Sequence, residues 1–87
     1  MKTLFHTVVD AVAQERQYQD ATHGTAPHEL ATWILLIEAE LNEAKHAVVK
    51  GGEGRNSVRH ELVQVAALCV ATLEQFGLNS DKTGREI

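Results

Sequence analysis

Two short acidic motifs contain the residues of this chain with the clearest potential for chemistry. Glu40 and Glu43 lie three residues apart in the first motif, and Glu61 and Gln64 repeat that spacing in the second. Residues three apart lie on one face of a helix, so each motif presents its oxygen atoms in a common direction. Carboxylate and amide oxygens are ligands that Mg²⁺ accepts in proteins. The spacing therefore indicates a candidate metal site formed by the three carboxylates, Glu40, Glu43 and Glu61, with Gln64 beside them.

The same acids are also compatible with a solvated helix face, because glutamate favours helices and is common on surfaces. On a helix, Glu40 and Glu43 fall on a stripe with Trp33, Leu36 and Ala47, beside an apolar seam. Carboxylates that border a core repel one another and lose hydration, and a bound cation offsets both costs. The sequence leaves the metal site and the solvated face as open alternatives.

Glycine positions divide the chain into three predicted helices, at about residues 3–20, 27–50 and 57–76. No strand-like alternation of apolar and polar residues occurs between them. The stretch Thr22–Ala26 contains a glycine and is expected to form a loop. Pro27 suits the first turn of the second helix, because its missing N–H has no intrahelical partner there.

Apolar and small residues recur at alternating steps of four and three in the second and third predicted helices. This pattern is typical of a bundle seam. In the second helix the residues are Leu30, Ile34, Ile37, Leu41, Ala44 and Val48, and in the third they are Val58, Leu62, Val65, Cys69, Thr72 and Phe76. Asn56 or Ser57 is expected to cap the third helix, and Gly77 to end it.

The linker at residues 51–56 is short, so the second and third helices are expected to lie side by side and antiparallel. Counting outward from this linker places Glu43 near the height of Glu61, and Glu40 near the height of Gln64. The expected fold class is therefore all-α, with an antiparallel helical hairpin and an added N-terminal helix.

The chain has 87 residues, of which 44% are hydrophobic, and a single cysteine. We expect one domain over residues 1–78 and a polar C-terminal tail over residues 79–87. A chain of this size buries a small core, and one cysteine cannot form an internal disulfide. We therefore expect a homodimer or homotetramer in which the helices of two protomers form a four-helix-type bundle.

The formal net charge is −4 with histidine neutral. A protein that binds a nucleic acid polymer needs a basic stripe, and an anionic membrane surface attracts basic rather than acidic proteins. No apolar run is long enough for a membrane span, and no secretory signal is visible. These features predict a cytoplasmic protein that binds neither nucleic acid polymers nor membranes.

The order of the motifs resembles the MazG-like all-α nucleoside triphosphate pyrophosphohydrolases. Glu40-x-x-Glu43 is followed after seventeen residues by Glu61-x-x-Gln64. Residues 15–24 are similar to the first-helix stretch of the short phage- and cassette-type members of this family, and residues 61–67 to their third-helix stretch. Taken from end to end, the resemblance covers roughly residues 8–76. Two positions depart from the family pattern: Ala39 stands where a further glutamate is frequent, and Gln64 stands in place of an aspartate.

This resemblance implies hydrolysis of a nucleoside or deoxynucleoside triphosphate to its monophosphate and pyrophosphate, as a housecleaning reaction of the nucleotide pool. It implies Mg²⁺ as the cofactor, with Mn²⁺ as a substitute, held by the two acidic motifs. Glu43 and Glu61 are the expected catalytic residues. The candidate substrate-binding residues are Gln19, Asp20, Trp33, Lys50, Arg55 and Arg59.

Several of these residues have an ordinary structural alternative. Trp33 in an apolar stripe is commonly a core residue, and basic residues at helix ends are commonly solvated. The departures at Ala39 and Gln64 also favour a second function from another class. In that alternative, the chain is a catalytically inactive MazG-like nucleotide-binding or oligomeric interaction module.

Overall fold

The computed structural model describes residues 2–51 and 57–78. These residues form three α-helices, α1 (Leu4–His23), α2 (Leu30–Lys50) and α3 (Val58–Phe76). No strand occurs within the described residues, which confirms the all-helical class. None of these helices is long and apolar enough to cross a membrane. Most of the predicted glycine linker and the predicted tail, residues 52–56 and 79–87, lie outside the described part of the chain.

Helix α1 begins at a local capping motif and continues further than predicted. The Thr3 Oγ1 atom accepts a hydrogen bond from the His6 backbone N–H at 3.2 Å. The helix continues to His23 and ends at Gly24, whose φ of 79° suits a residue without a Cβ atom. The predicted loop at Thr22–Ala26 was therefore wrong at its first two residues. The glycine, rather than the polar residues before it, ends the helix.

The beginning of α2 also differs from the prediction. The helix begins at Leu30 with Glu29 as its N-cap, so Pro27 does not occupy the first turn. The His28 backbone N–H donates to Gln75 Oε1 at 3.1 Å, and Gln75 Nε2 donates to the His28 carbonyl at 2.6 Å. Since a side chain of α3 binds both backbone groups of His28, the residues around it are held outside the helix.

The end of α2 and both ends of α3 lie where the sequence predicts them. Gly51 ends α2 in a left-handed conformation, and its N–H donates to the Ala47 carbonyl at 2.8 Å. Ser57 caps α3, with its Oγ atom accepting from the His60 backbone N–H at 3.0 Å. Gly77 ends α3 with a φ of 80°. These ends depend on local residue types, which explains why sequence analysis found them.

Helix α3 lies in the middle and packs against both α1 and α2. Contacts between α2 and α3 join Trp33 to Gln75 and Glu40 to Gln64. Residue numbers fall along one helix as they rise along the other, so the hairpin is antiparallel as predicted. Arg16 on α1 donates to Glu74 on α3 at 2.7 Å and joins the first helix to the same scaffold.

The buried apolar core consists of alanines. Its buried members are Ala44 and Ala47 of α2 and Ala67 and Ala71 of α3, and no large side chain among the described residues is fully buried. Small side chains allow helix backbones to approach closely, and the cost is a small apolar contact area. The core of the described residues is therefore thin.

The predicted seam of α2 is only partly covered within the single chain, where Ala44 is buried and Ile37 is half-buried. Leu30, Ile34, Leu41 and Val48 are all exposed, at 52%, 54%, 46% and 68% of their surface. On α3, Leu62 and Phe76 are exposed as well. The neighbouring stripe also faces α3, through the half-buried Trp33 and Glu40 and the buried Ala47. Periodicity identified the apolar faces, but not which face the hairpin itself covers.

The alanine core makes a specific prediction about packing. Ala67 has no exposed surface, so Ala67→Leu inserts volume where the helices meet and should lower the free energy of unfolding by about 1–3 kcal/mol. Urea unfolding followed by far-UV circular dichroism measures this change. The matched control is Ala13→Leu, at an exposed position of α1, which should change the value by about 0.5 kcal/mol or less. Equal effects of the two substitutions would contradict the described packing.

Candidate functional site

Gln64 lies between two acidic side chains that come from different helices. With its amide nitrogen directed at the acids, Gln64 of α3 donates to Glu40 Oε2 of α2 at 3.0 Å and to Glu61 Oε2 at 2.7 Å. This orientation of the amide is the one that satisfies its neighbours, since the opposite one brings its oxygen against theirs. The predicted pairing of Glu40 with Gln64 across the hairpin is confirmed.

The carboxylates of this cluster are largely removed from water. Glu61 is only 8% exposed, and Glu40 is half-buried. Burial raises the pKa of Glu40 above its usual value of 4.5, and the hydrogen bond and charge of Glu61 and the charges of Glu43 and Glu15 raise it further. Glu40 therefore holds its proton more strongly than an exposed glutamate, and a pKa shifted in this way marks the cluster as a candidate functional site.

Glu15 is a fourth acid near the cluster that sequence analysis missed. It lies on α1 and is 8% exposed, and its charge contributes to the raised pKa of Glu40. The three helices therefore each bring an acidic side chain to one region. The sequence did contain a signal for Glu15, because this residue is the first of the stretch 15–24 that resembles the family. The sequence does not indicate how α1 packs against α2 and α3, so the proximity of Glu15 to the cluster could not be predicted.

The cluster has the donor atoms that Mg²⁺ prefers without being arranged as a closed metal site. Within residues 2–51 and 57–78, no group of three or more His, Cys, Asp or Glu side chains is placed to hold a metal ion. The Gln64 amide nitrogen lies between the carboxylates of Glu40 and Glu61. A half-turn of this amide would replace its nitrogen by its carbonyl oxygen, and the three side chains would then offer only oxygen atoms. The residue types therefore fit a hard divalent cation.

A large cavity extends from this cluster between the three helices. Its volume is about 720 Å³, within the range of small-molecule and cofactor sites. Glu40 and Gln64 line one part of it. Trp33, His28 and Gln75 line another, about 10 Å further along α2, since Trp33 precedes Glu40 by two helical turns.

The cavity brings together some of the predicted site residues and leaves others outside. Its wall includes Gln19, Asp20, Trp33, Glu40 and Gln64. Glu43 is exposed and Glu61 is buried, and neither residue lines the cavity. Lys50 and Arg59 are exposed and do not line the cavity. Arg55 falls outside the described residues.

Arg16 is the one arginine or lysine in the described wall of the cavity, and sequence analysis did not select it. Its side chain is 17% exposed. It donates from Nε to Glu74 at 2.7 Å and from both terminal nitrogens to Asp20 at 3.0 and 3.4 Å. Burial acts to lower the pKa of Arg16, but the hydrogen bonds and charges of the two acids raise it overall. Arg16 is thus a firmly charged group at the junction of α1 and α3.

Two further polar side chains shape the wall. The Trp33 indole donates from Nε1 to Gln75 Oε1 at 2.7 Å and lies edge-on to the His28 ring at a centroid distance of 4.9 Å. Trp33 is therefore held by polar contacts and is not a simple core residue. The Gln19 Oε1 atom is buried and has no hydrogen-bond partner among the described residues. A buried acceptor of this kind is suited to a ligand donor, because an unpaired buried acceptor is costly.

Comparison with protein-family models, with curated proteins and with solved structures gives no significant match to this chain.

The raised pKa of Glu40 predicts how stability changes with pH in the absence of divalent cations. Between the unfolded value and the raised folded value, the folded state binds more protons, so wild-type stability falls as pH rises through this window. Glu40→Gln removes the charge and should raise the melting temperature at pH 7 by several degrees, about 4–8 °C for each kcal/mol gained. At pH 4 the gain should largely disappear.

Thermal unfolding in a chelating buffer at the two pH values measures this difference. Glu38→Gln is the matched control, because Glu38 lies on the same helix but is exposed. An equal stabilisation by both substitutions at pH 7 would show that overall charge, rather than the cluster, is responsible.

Proposed function

We propose that this chain is a Mg²⁺-dependent nucleotide pyrophosphohydrolase that converts a nucleoside or deoxynucleoside triphosphate to its monophosphate and pyrophosphate. One observation carries the proposal: the carboxylates of Glu40 and Glu61, bridged by Gln64, adjoin a large cavity whose wall includes an oriented tryptophan. An oxygen-rich end suits phosphates with a divalent cation, and an aromatic wall suits a base. The proposed physiological role is housecleaning of the nucleotide pool.

Glu40, Glu43, Glu61 and Gln64 would hold the cation. When bound, Mg²⁺ or Mn²⁺ supplies neutralisation of phosphate charge and lowers the pKa of a bound water molecule. Gln64 would contribute its amide oxygen after the half-turn described above, which frees the carboxylates of Glu40 and Glu61 from its N–H groups. Glu61 is buried and is therefore suited to a fixed ligand position.

The reaction is attack of water on the α-phosphorus. The new bond joins the water oxygen to this phosphorus, the bond from the α-phosphorus to the bridging oxygen breaks, and pyrophosphate leaves. The water proton passes to a carboxylate of the cluster. Glu43 is exposed beside Glu40, so it can accept this proton and release it to solvent.

The remainder of the ligand would occupy the cavity toward α1. Trp33 presents an indole ring for base stacking, and the unpartnered Gln19 Oε1 atom can accept a hydrogen bond from a sugar hydroxyl or a base amino group. Arg16 is held by Asp20 and Glu74, and this ion-pair network fixes the α1 side of the cavity.

A homodimer or homotetramer is part of the proposal. Its support is the apolar surface that the hairpin leaves uncovered, which includes the α2 residues Leu30, Ile34, Leu41 and Val48. Covering such residues with a second copy would supply the apolar burial that a chain of this size lacks.

Gln64 favours one alternative function, a catalytically inactive nucleotide-binding module. Its neutral amide satisfies Glu40 and Glu61 without a cation. An aspartate here would add a third negative charge and make a cation more necessary. In this alternative the cavity and Trp33 still bind a nucleotide, but no water is activated.

The proposal predicts metal-dependent release of pyrophosphate from at least one triphosphate. The measurement is pyrophosphate release from a panel of ribo- and deoxynucleoside triphosphates, with Mg²⁺ and with chelator. Glu43→Ala should lower the rate about a hundredfold or more, as expected for loss of a general base. The exposed Glu38 of the same helix provides the matched control Glu38→Ala, which should keep the wild-type rate. A folded wild-type protein that hydrolyses no triphosphate in the panel would favour the inactive module.

A second prediction concerns the charge of Gln64. Gln64→Asp removes both hydrogen bonds to the acids and adds a negative charge, so it should lower the free energy of unfolding by about 1–3 kcal/mol without divalent cations. Millimolar Mg²⁺ should recover most of this loss, because binding to the folded state is stabilising. Differential scanning calorimetry with and without Mg²⁺ tests both parts. Gln17→Asp, at an exposed position of α1, should show no such recovery; an equal recovery would indicate a general salt effect.

A further inference from the structure

Gln75, in the last turn of α3, binds the backbone of the α1–α2 connection as another peptide group would. Its Oε1 atom accepts from the His28 backbone N–H at 3.1 Å, and its Nε2 atom donates to the His28 carbonyl at 2.6 Å. The same Oε1 atom accepts from Trp33 Nε1 at 2.7 Å. Both lone pairs of the oxygen and one N–H of the amide are therefore in use. We call these three hydrogen bonds the Gln75 clamp.

The clamp fastens a segment that forms one wall of the cavity. Residues 24–28, which lie in the connection between α1 and α2, all line the cavity. The N-terminus of α2 has no side-chain cap at Glu29, so local capping does not hold this connection in place. The hydrogen bonds to His28 instead attach it to α3, the helix that carries Glu61 and Gln64.

The clamp also sets the position of the only tryptophan in the chain. Trp33 is held at its Nε1 edge by Gln75 and contacts the His28 ring edge-on. Without the Gln75 amide, the indole N–H loses its acceptor, and the backbone N–H and carbonyl of His28 lose their hydrogen-bond partners. The indole ring and the connection should then move together, because one side chain holds both.

We propose that Gln75 is a positioning residue for ligand binding. It holds Trp33 and the connection at residues 24–28 as the wall that receives the base and sugar, while the acidic cluster receives the phosphates about 10 Å away along α2. Gln75 itself is exposed and its amide is already hydrogen-bonded, so it acts through Trp33 and His28 rather than on the reacting atoms. The identity of the ligand rests on the proposed function, whereas the clamp does not.

Gln75→Met tests the proposal, because methionine has a similar length and lacks the amide. Trp33 emission should shift to longer wavelength and become more accessible to acrylamide, since Trp33 is the sole tryptophan. The KM for the best triphosphate should rise about tenfold, as expected for the lost hydrogen bonds of a positioned wall, while kcat stays within about twofold because the acidic cluster is intact. Gln17→Met, at an exposed position of α1, should change none of these values.

Gln75→Glu adds a readout that a merely structural role would not produce. A carboxylate keeps the acceptor for Trp33 and for the His28 N–H but faces the His28 carbonyl with a negative oxygen. When protonated, it can donate to that carbonyl and restore the clamp. Lowering the pH from 7.5 to 4.5, near the usual pKa of glutamate, should therefore bring the emission and the KM of this variant closer to the wild-type values measured at the same pH, with no such change in Gln75→Met. This comparison remains valid if Gln75→Met folds poorly.

The outcomes separate this inference from the proposed function. If wild type hydrolyses a triphosphate but Gln75→Met leaves KM unchanged, or lowers kcat alone, the positioning role is wrong and the enzyme proposal stands. If no triphosphate is hydrolysed, the dissociation constant of an α,β-imido nucleoside triphosphate, followed by Trp33 fluorescence, replaces KM. Weaker binding by Gln75→Met then supports the positioning role although the enzyme proposal fails. Absence of saturable binding to wild type would overturn both.

Discussion

The bridge that Gln64 forms between Glu40 and Glu61 is the interaction on which the arrangement of the hairpin depends. Carboxylates near a core must be hydrogen-bonded or neutralised, because dehydration and mutual repulsion are both costly. Gln64 meets this requirement from α3 with one amide that reaches an acid of each helix, at 3.0 and 2.7 Å. Its Gln64–Glu40 half crosses from α3 to α2 in the register that the Trp33–Gln75 hydrogen bond also holds, and the cavity begins next to it.

The close approach of these helices follows from the residues around the bridge. Ala44, Ala47, Ala67 and Ala71 form the buried core, and their small size lets the backbones approach until the polar side chains can meet. The larger apolar residues then remain on the outside of the hairpin. The placement of small residues inside the hairpin and large apolar residues outside it thus produces both a polar junction within the chain and an apolar surface suited to a second copy. In this way the acidic site and the proposed oligomer have a common physical origin.

Sequence analysis succeeded where structure depends on local residue types and failed where it depends on distant partners. The ends at Gly51, Ser57 and Gly77, and the pairing of Glu40 with Gln64, follow from turn chemistry and linker length. The beginning of α2 was mispredicted because a residue 47 positions away binds the His28 backbone. The contributions of Glu15 and Arg16 were also missed, because helical periodicity does not indicate how α1 crosses the hairpin.

Gln64 also shows why the same geometry is compatible with both an enzyme and a binding module. With its nitrogen toward the acids, its amide neutralises none of their charge but hydrogen-bonds both of them, so the cluster needs no cation. With its oxygen toward them, the amide becomes a neutral ligand in an oxygen-rich group, and a cation is required. The free energy of cation binding is therefore the free energy gained by coordination less that of the two hydrogen bonds from Gln64 that are lost. An aspartate in place of Gln64 has no such hydrogen bonds to lose, so it would favour the cation. The competition between these two orientations is therefore the physical difference between the proposed enzyme and the alternative binding module.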